Sequence, residues 1–193
     1  MQISNKNNKV GVAEQIMALE AAYDIKLPED YKRFLLKYNG GDTPETSIYL
    51  GKGRGLGETD VRYFYSVAES DKSFTWLDGL DLLDEYLDDS LLPIASDTFG
   101  NEFVIGVADV NRGKVYFYDH ELQKTTTELA STFTDFVGMC KTEIKRGVRT
   151  FEMRAQSYRE KHGKDADEAL QAIWRKQVPE AIELYRDMTE VEF

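Results

Sequence analysis

The sequence predicts a protein of the α+β class, built as one domain with a helical extension at its C-terminal end. Apolar residues recur at helical spacing near the N-terminus, and β-rich runs bounded by turn residues fill the middle of the chain. The C-terminal quarter is rich in the helix formers Ala, Glu, Gln, Arg and Lys. With 193 residues, of which 41% are hydrophobic and 31% charged, the chain can bury one sizeable core.

Two helices are predicted before the first strand. Apolar residues recur every three or four positions over Val12–Tyr23, which predicts the first helix. The second begins at Pro28, because proline's missing N–H has no partner at the start of a helix. It ends at Asn39, where the following Gly40 and Gly41 allow a left-handed conformation without a side-chain clash. A phosphate loop needs the opposite end of a helix, so we interpret the double glycine as a helix stop.

Strand-like runs follow the second helix. Residues 47–50 and 61–65 are rich in Thr, Ile, Tyr, Val and Phe and predict two short strands. Between them lies the glycine-rich stretch GKGRGLG, residues 51–57. It lacks the Lys-Ser/Thr pair of a nucleotide-binding loop and is not clearly followed by a helix, so we interpret it as a flexible loop.

The middle of the chain predicts a short helix, a hairpin and a longer helix. Residues 77–87 place leucines on one face and most acids off it, which predicts an amphipathic helix. Residues 91–95 enter a sheet region. Residues 102–109 and 114–119 predict two strands joined by a polar turn that contains glycine. Residues 132–145 predict a helix with Ser131 or Thr132 as its N-cap.

The C-terminal part of the chain differs from the rest in its amino-acid composition. Helices are predicted near residues 150–162, 165–176 and 179–188, with Gly163 and Pro179 as the breaks. These helices could cap the core, form a homodimer or add contacts to a partner. Of the three, we favour the helical cap on the core.

Nearly all of the net charge of −11 lies in one segment. Residues 58–102 contain twelve acidic and two basic side chains, whereas the rest of the chain is close to balance. A field of this sign repels nucleic acid and attracts basic partners, so we predict no nucleic-acid partner. The alternative is an acidic surface that only aids solubility.

The chain offers few candidates for catalysis or metal binding. It has two histidines and one cysteine, none at metal-ligand spacing, so we predict no metal and no cofactor. Cys140 lies on the apolar face of a predicted helix, where a buried inert thiol is expected. No nucleophile-elbow motif is present. Paired carboxylates are abundant, but glycosidase-type chemistry needs two at a defined separation, and the sequence does not show that.

The sequence also bears on location. The N-terminus lacks the apolar region of a signal peptide, and no window approaches the length of a membrane span. A single cysteine excludes an internal disulfide. We therefore expect a cytoplasmic protein with no membrane partner.

The segment PIASDTFGNEFVIGV, residues 93–107, contains the most informative turn. Asp97 and Asn101 flank it, and Gly100 is expected to supply a positive φ. This is either a plain β-turn or a turn that projects Asp97, Asn101 and Glu102 toward a partner.

Four motifs in order carry a family resemblance. They are LPEDYKRFLLKYNGGD (residues 27–42), LLPIASDTFGNEFVIGV (91–107), GKVYFYDHE (113–121) and STFTDFV (131–137). With them the chain resembles the SUKH superfamily, the immunity proteins of the SMI/KNR type related to a fungal cell-wall assembly regulator. The resemblance spans about residues 12–145. Tyr118 is a departure, since related proteins often have tryptophan there.

The resemblance implies a mixed or antiparallel sheet flanked by helices. It also implies a role in bacterial toxin–immunity pairs, in which the protein binds a cognate polymorphic toxin, often a nuclease, and blocks it without catalysis. We accordingly expect a SUKH-like domain over residues 12–145. The resemblance does not explain the rest of the chain, where the sequence itself predicts a flexible N-terminus over 1–11 and a helical extension over 146–193 packed on the domain. The alternatives are a regulatory or scaffolding interaction module and a carboxylate-based hydrolase.

An acidic face that imitates the charge of nucleic acid would favour binding to a basic nuclease. The predicted partner-binding residues come from the acidic segment and from the end of the strand that follows its turn. They are Asp78, Asp81, Asp84, Glu85, Asp88, Asp89, Asp97, Asn101, Glu102 and Asp119.

Overall fold

A computed structural model of the protein describes residues 1–4, 7–51, 57–68, 77, 83–121, 125–145 and 147–193. Within these residues the fold is α+β, as predicted. The helices are α1 (Val12–Tyr23), α2 (Glu29–Tyr38), α3 (Leu83–Asp88), α4 (Phe133–Met139), α5 (Phe151–His162) and α6 (Glu168–Arg186). The strands are β1 (Gln2–Ser4), β2 (Gly41–Asp42), β3 (Thr46–Gly51), β4 (Gly57–Asp60), β5 (Tyr63–Phe64), β6 (Leu91–Ser96), β7 (Glu102–Gly106), β8 (Val115–Asp119), β9 (Thr125–Ala130), β10 (Lys141–Thr142) and β11 (Met188–Glu190).

The strands form two antiparallel sheets. The large sheet has the order β11-β1-β2-β5-β6-β7-β8-β9, and the small one has the order β10-β3-β4. Strands β6 to β9 pair with their neighbours in sequence and form the most extensive ladder. The resemblance left a mixed or an antiparallel sheet open, and every pairing between described strands is antiparallel.

The core lies between one face of the large sheet and the helices α2 and α4. Phe34 of α2 contacts Phe64 of β5, with ring centroids 5.0 Å apart. Phe136 of α4 contacts Phe103 of β7 at 5.3 Å. Each tilted aromatic pair of this kind adds about 0.5–1.5 kcal/mol beyond the area it buries. Because side chains alternate along a strand, Glu102 and Val104 of β7 face the other side of the sheet.

The double glycine ends α2, as predicted, and also allows two backbones to meet. A β-carbon added to Gly40 would lie 2.6 Å from the carbonyl oxygens of Phe64 and Tyr65. One added to Gly41 would lie 2.6 Å from the carbonyl oxygen of Ser4. Both glycines have positive φ, of 73° and 140°. The sheet can therefore close against the end of α2 only where no side chain is present.

Asn39, just before the glycines, ties three segments together. It is fully buried and adopts φ 50° as the C-cap of α2. Its side-chain oxygen accepts hydrogen bonds from the backbone N–H groups of Val67 at 3.0 Å and Ala68 at 3.3 Å. Its amide nitrogen donates to the carbonyl of Asn8 at 2.6 Å. Asn39, which the sequence predicts only as the end of the helix, therefore also holds two loops in place.

The N-terminal residues contain a strand that the sequence did not predict. Gln2–Ser4 forms β1, which pairs with β2 and with β11 at the other end of the chain. Ile3 is fully buried. Three residues are too few to show a period, and both partners of the strand are remote or very short.

One predicted helix boundary in the middle of the chain differs from the structure. The helix predicted over residues 132–145 begins as expected, because the Thr132 side chain accepts a hydrogen bond from Asp135 N–H. It ends at Met139, and β10 then pairs with β3. Cys140 between them is buried, and burial raises the pKa of its thiol to about 12. Of the helix predicted over residues 77–87, the structure describes Leu77 and, from Leu83 on, α3, and residues 78–82 lie outside the described ranges.

The predicted break at Pro179 was wrong, since α6 runs through this proline. Proline removes one hydrogen bond from a helix interior, but helix formers flank it on both sides. Trp174, one turn earlier, packs against Phe151 and Tyr158 of α5 with ring centroids 6.1 and 6.0 Å away. This contact joins α5 and α6 into a helical hairpin. Strands β4 and β9 were also not predicted.

Candidate protein-binding surface

A buried carboxylate shapes the turn between β6 and β7. Asp97 is 2% exposed. One of its oxygens accepts from the backbone N–H groups of Phe99 at 2.8 Å and Asn101 at 2.9 Å. The other accepts from the Thr59 hydroxyl and from the Asn101 side-chain amide, both at 2.9 Å. Because its carboxylate accepts four hydrogen bonds, Asp97 holds the turn in a fixed conformation.

The remaining residues of the turn are held from outside. The backbone N–H of Thr98 donates to Asp60 of β4 at 3.0 Å, and its hydroxyl donates to the same carboxylate. The side-chain oxygen of Asn101 lies 2.8 Å from Nδ1 of His120, at the end of β8. Gly100 has φ 88°, the positive φ that the sequence predicts. The turn is therefore tied to β4 on one side and β8 on the other.

Glu102 follows this turn, and only one of its two carboxylate oxygens has a hydrogen-bond partner among the described residues. Its Oε1 accepts a hydrogen bond from the hydroxyl of Tyr65 at 2.9 Å. Its Oε2 is buried without a partner among the described residues. The hydroxyl of Ser96, on the neighbouring strand, donates instead to the carbonyl of Asn101. Burial raises the pKa of Glu102 to about 8, the Asp97 charge adds to this, and the Tyr65 hydrogen bond opposes it.

Tyrosines surround Glu102 on the face of the sheet that α2 and α4 do not cover. Tyr118 lies directly across from Glu102 in the β7–β8 ladder and so shares its face. The ring of Tyr86 from α3 contacts the Tyr118 ring at 5.1 Å. Tyr86 and Tyr118 are both half-buried. The charge of Glu102 contributes to a raised pKa of Tyr86, although burial is the larger cause.

Helix α3 carries the described part of the acidic segment. It packs on β6, with Leu83 buried, and its acids face outward. Asp84, Glu85, Asp88 and Asp89 are all exposed, and the hydroxyl of Tyr23 donates to Asp84 at 2.9 Å. Through Tyr86, these acids lie next to Glu102 and Tyr118. We call this set of residues the acidic surface: Asp84, Glu85, Tyr86, Asp88, Asp89, Glu102 and Tyr118.

The structure does not bring all of the predicted residues together. Asp119 is one position beyond Tyr118 and points to the other face of the sheet, where its carboxylate accepts from the N–H of Glu121. Asp78 and Asp81 lie outside the described residues. Tyr65 and Tyr86 were not among the predicted residues, because only the pairing of distant elements places them beside Glu102.

The arrangement around the turn bears on the alternative of a hydrolase. Such an enzyme needs two carboxyl groups that can both reach a substrate. Asp97 and Glu102 are neighbours, but both oxygens of Asp97 already accept hydrogen bonds from the turn and from Thr59 of β4. In the part of the chain that the structure describes, no group of three or more His, Cys, Asp or Glu side chains has an arrangement that could hold a metal ion. None of the helices among the described residues has the length and apolar character needed to cross a membrane.

Comparison with known proteins places this scaffold in a family. The model of the SMI1 / KNR4 family (SUKH-1) matches residues 13–139. The chain belongs to this family. It is also similar to the SPbeta prophage-derived uncharacterized protein YokK of Bacillus subtilis (strain 168), with 30% identity over 146 residues that cover 66% of this chain and 73% of that relative. SUKH-1 proteins are generally non-enzymatic, immunity-type protein-interaction modules.

The SUKH-1 match includes the candidate surface. It covers α1 to α4 and strands β2 to β9, and with them α3 and the β6–β7 turn. The helical hairpin α5–α6 and strand β11 lie beyond the matched residues. A protein partner is therefore the kind of ligand that this family leads us to expect.

Proposed function

We propose that this SUKH-1 protein is a cytoplasmic immunity protein that binds a cognate bacterial toxin and blocks it without catalysis. The toxin is a basic protein, and a nuclease fits best. The observation that carries the proposal is the exposed acidic face of α3, held beside Glu102 on a scaffold of the immunity type. A nuclease must present a positive surface to its substrate, and an acidic face of this kind competes for that surface.

Co-expression tests the function directly. The full chain would be expressed with each toxin-like domain encoded beside its gene, and cell survival and co-purification would be measured. We expect one domain that is lethal alone to be tolerated with this protein and to co-purify with it in a one-to-one complex. Failure of every neighbouring domain, with several weak partners captured instead, would favour the regulatory or scaffolding alternative.

The role of the acidic surface is tested by neutralising α3. A variant with Asp84→Asn, Glu85→Gln, Asp88→Asn and Asp89→Asn should bind the toxin about tenfold more weakly at low salt, since each exposed charge contributes a fraction of a kcal/mol. Its affinity should also depend less on salt, because fewer charges remain to be screened. The control neutralises two exposed acids elsewhere, Glu14→Gln and Glu180→Gln. An unchanged affinity and salt dependence in the α3 variant would contradict this role.

A further inference from the structure

Phe99 is a large apolar side chain displayed at the tip of the β6–β7 turn. It is 73% exposed. Exposed apolar residues are common on protein surfaces and need no special explanation when they sit on mobile loops. The turn that carries Phe99 is different, because its backbone is held on every side.

Hydrogen bonds to two carboxylates fix the backbone around Phe99. Asp97 accepts from the N–H of Phe99 itself and from the N–H of Asn101. Asp60, from the other sheet, accepts from both the N–H and the hydroxyl of Thr98. The residues on both sides of the ring are therefore already ordered in the free protein. Ordering a loop is a large part of what binding costs, so a prearranged turn presents Phe99 with little further loss of entropy.

A cleft opens beside the ring. It has a volume of about 460 Å³ and lies where the turn meets the small sheet, with Phe99, Thr98, Asp60 and Arg62 among its walls. The guanidinium of Arg62 lies 5.8 Å from the centre of the Tyr63 ring and is exposed. Buried aromatic and arginine side chains are the types that most often dominate binding energy at protein interfaces. Because the Phe99 side chain lies next to the cleft, a partner could receive the ring in a pocket and insert a side chain of its own into the cleft.

The charges around the ring indicate the chemistry of the partner. Glu45, Asp60 and Arg62 line the cleft, so two carboxylates and one guanidinium lie beside the ring. A partner that covers Phe99 therefore meets an apolar ring beside a cleft with a net negative charge. Its complementary surface is an apolar pocket with a basic rim.

From this geometry we infer that Phe99 is the aromatic anchor of the toxin interface and inserts into an apolar pocket with a basic rim on the toxin. The inference rests on the proposed function and adds to it the residue that dominates the affinity. The acidic surface on α3 then guides the encounter, and Phe99 sets how long the complex lasts, because apolar anchors act mainly on dissociation.

The test compares Phe99 with an exposed aromatic residue on the small sheet. Phe99→Ala, Phe99→Leu and Tyr49→Ala would be made in the full chain, and Tyr49 is 52% exposed on β3. Affinity would be measured against an inactive form of the toxin domain that the wild-type protein neutralises. We expect Phe99→Ala to weaken binding by about thirtyfold or more, chiefly through faster dissociation. Phe99→Leu should lose less, and Tyr49→Ala should stay within about twofold.

The possible outcomes separate the two proposals. If Phe99→Ala binds within about twofold of the wild type, or Tyr49→Ala loses as much, the inference is overturned while the immunity function stands. If the wild-type protein neutralises no toxin domain, the proposed function fails and the inference fails with it. Thermal unfolding of each variant, measured first, shows whether the fold is intact. We expect no change of midpoint for Phe99→Ala, because the side chain is exposed.

Discussion

At the scale of single residues, two neighbouring carboxyl groups have contrasting environments. Asp97 accepts four hydrogen bonds, three from the turn that it shapes and one from Thr59 of β4. Glu102 accepts one, from Tyr65, and its other oxygen is buried without a partner among the described residues. A buried carboxylate with so little compensation favours its neutral form, and this is why the pKa of Glu102 rises to about 8. Glu102 therefore sits on the acidic surface as a group that takes up a proton near neutral pH.

The first prediction concerns the effect of pH on stability. The pKa of Glu102 is about 8 in the folded protein, against 4.5 for the unperturbed group. Burial favours the neutral form of Glu102, so the contribution of this group to the free energy of unfolding should be largest below pH 4.5. Stability should then fall as the pH rises from 4.5 to about 8, because in this range the carboxyl is ionised in the unfolded chain and folding must protonate it. Urea unfolding at pH 5 and pH 9 measures the difference.

Glu102→Gln is the variant that isolates this effect. Glutamine keeps the acceptor for Tyr65 and cannot ionise, so the variant should be more stable than the wild type at pH 9 by about 2 kcal/mol. The two should be alike at pH 5. Glu85→Gln on α3 is the exposed control and should follow the wild type at both values. Parallel pH profiles for Glu102→Gln and the wild type would show that Glu102 does not titrate in this range.

At the scale of secondary-structure elements, the junction of α2 and β2 depends on two glycines for different reasons. Positive φ is one requirement, and it applies equally to Gly163 at the end of α5. Close contact with a backbone is the other. It applies to Gly40 and Gly41, but a β-carbon on Gly163 would meet nothing within 4 Å. The three positions therefore separate conformational strain from steric exclusion.

The second prediction uses this difference. Gly163→Ala should lower the free energy of unfolding by about 1 kcal/mol, the usual cost of a left-handed non-glycine residue. Gly40→Ala and Gly41→Ala should each cost about 3 kcal/mol or more, because at both positions the backbone must move away from a carbonyl oxygen 2.6 Å from the new carbon. Denaturant unfolding of the three variants tests the ranking. Equal losses at all three positions would mean that the backbone yields and that only φ matters.

Elements with a strong local signal could be predicted from the sequence, and short elements could not. Helix α1 has apolar residues at helical spacing, and α2 ends at an asparagine followed by two glycines. The β7–β8 hairpin has a polar turn that contains glycine. Strands β1, β10 and β11 have two or three residues each, so only their distant partners define them. The same holds for the candidate surface. The density of acidic residues in the sequence predicted Asp84 and Glu85. The contact between Tyr86 of α3 and Tyr118 of β8 joins residues far apart in the chain, so no local sequence pattern indicates it.

At the scale of the whole molecule, the two ends of the chain meet in the large sheet. Strand β11 pairs with β1, and the Phe193 ring contacts Phe133 of the core at 5.9 Å. The hairpin α5–α6 lies between β10 and β11 and is tied to Glu45. That side chain accepts from the N–H groups of Lys145 and Gly147 and from the hydroxyl of Tyr185. The C-terminal extension thus has a strand that completes the sheet and a helical hairpin attached at both of its ends.

The hairpin itself has a small core. Trp174 is the only buried residue within α5 and α6, and it packs against Phe151 and Tyr158 of the same hairpin. Apolar side chains such as Met153 and Ile173 are half exposed. Few buried apolar contacts mean that a segment opens more readily than the rest of the molecule. We therefore expect α5 and α6 to open as one local unit, while β11 opens only with the sheet.

The third prediction tests this division by hydrogen exchange. Amides of α5 and α6 should exchange faster than those of β6 to β8 in the wild type. Trp174→Ala should lower the local opening free energy of the hairpin by about 3 kcal/mol, since it removes the one large buried side chain there. It should leave protection of the sheet unchanged. Phe193→Ala is the reciprocal variant, because its ring contacts the core rather than the hairpin. It should reduce protection of β1 and β11 and leave α5 and α6 as they are. If Trp174→Ala instead lowers protection of the sheet and the hairpin equally, the extension unfolds with the domain, and the boundary predicted at residue 146 does not separate two units.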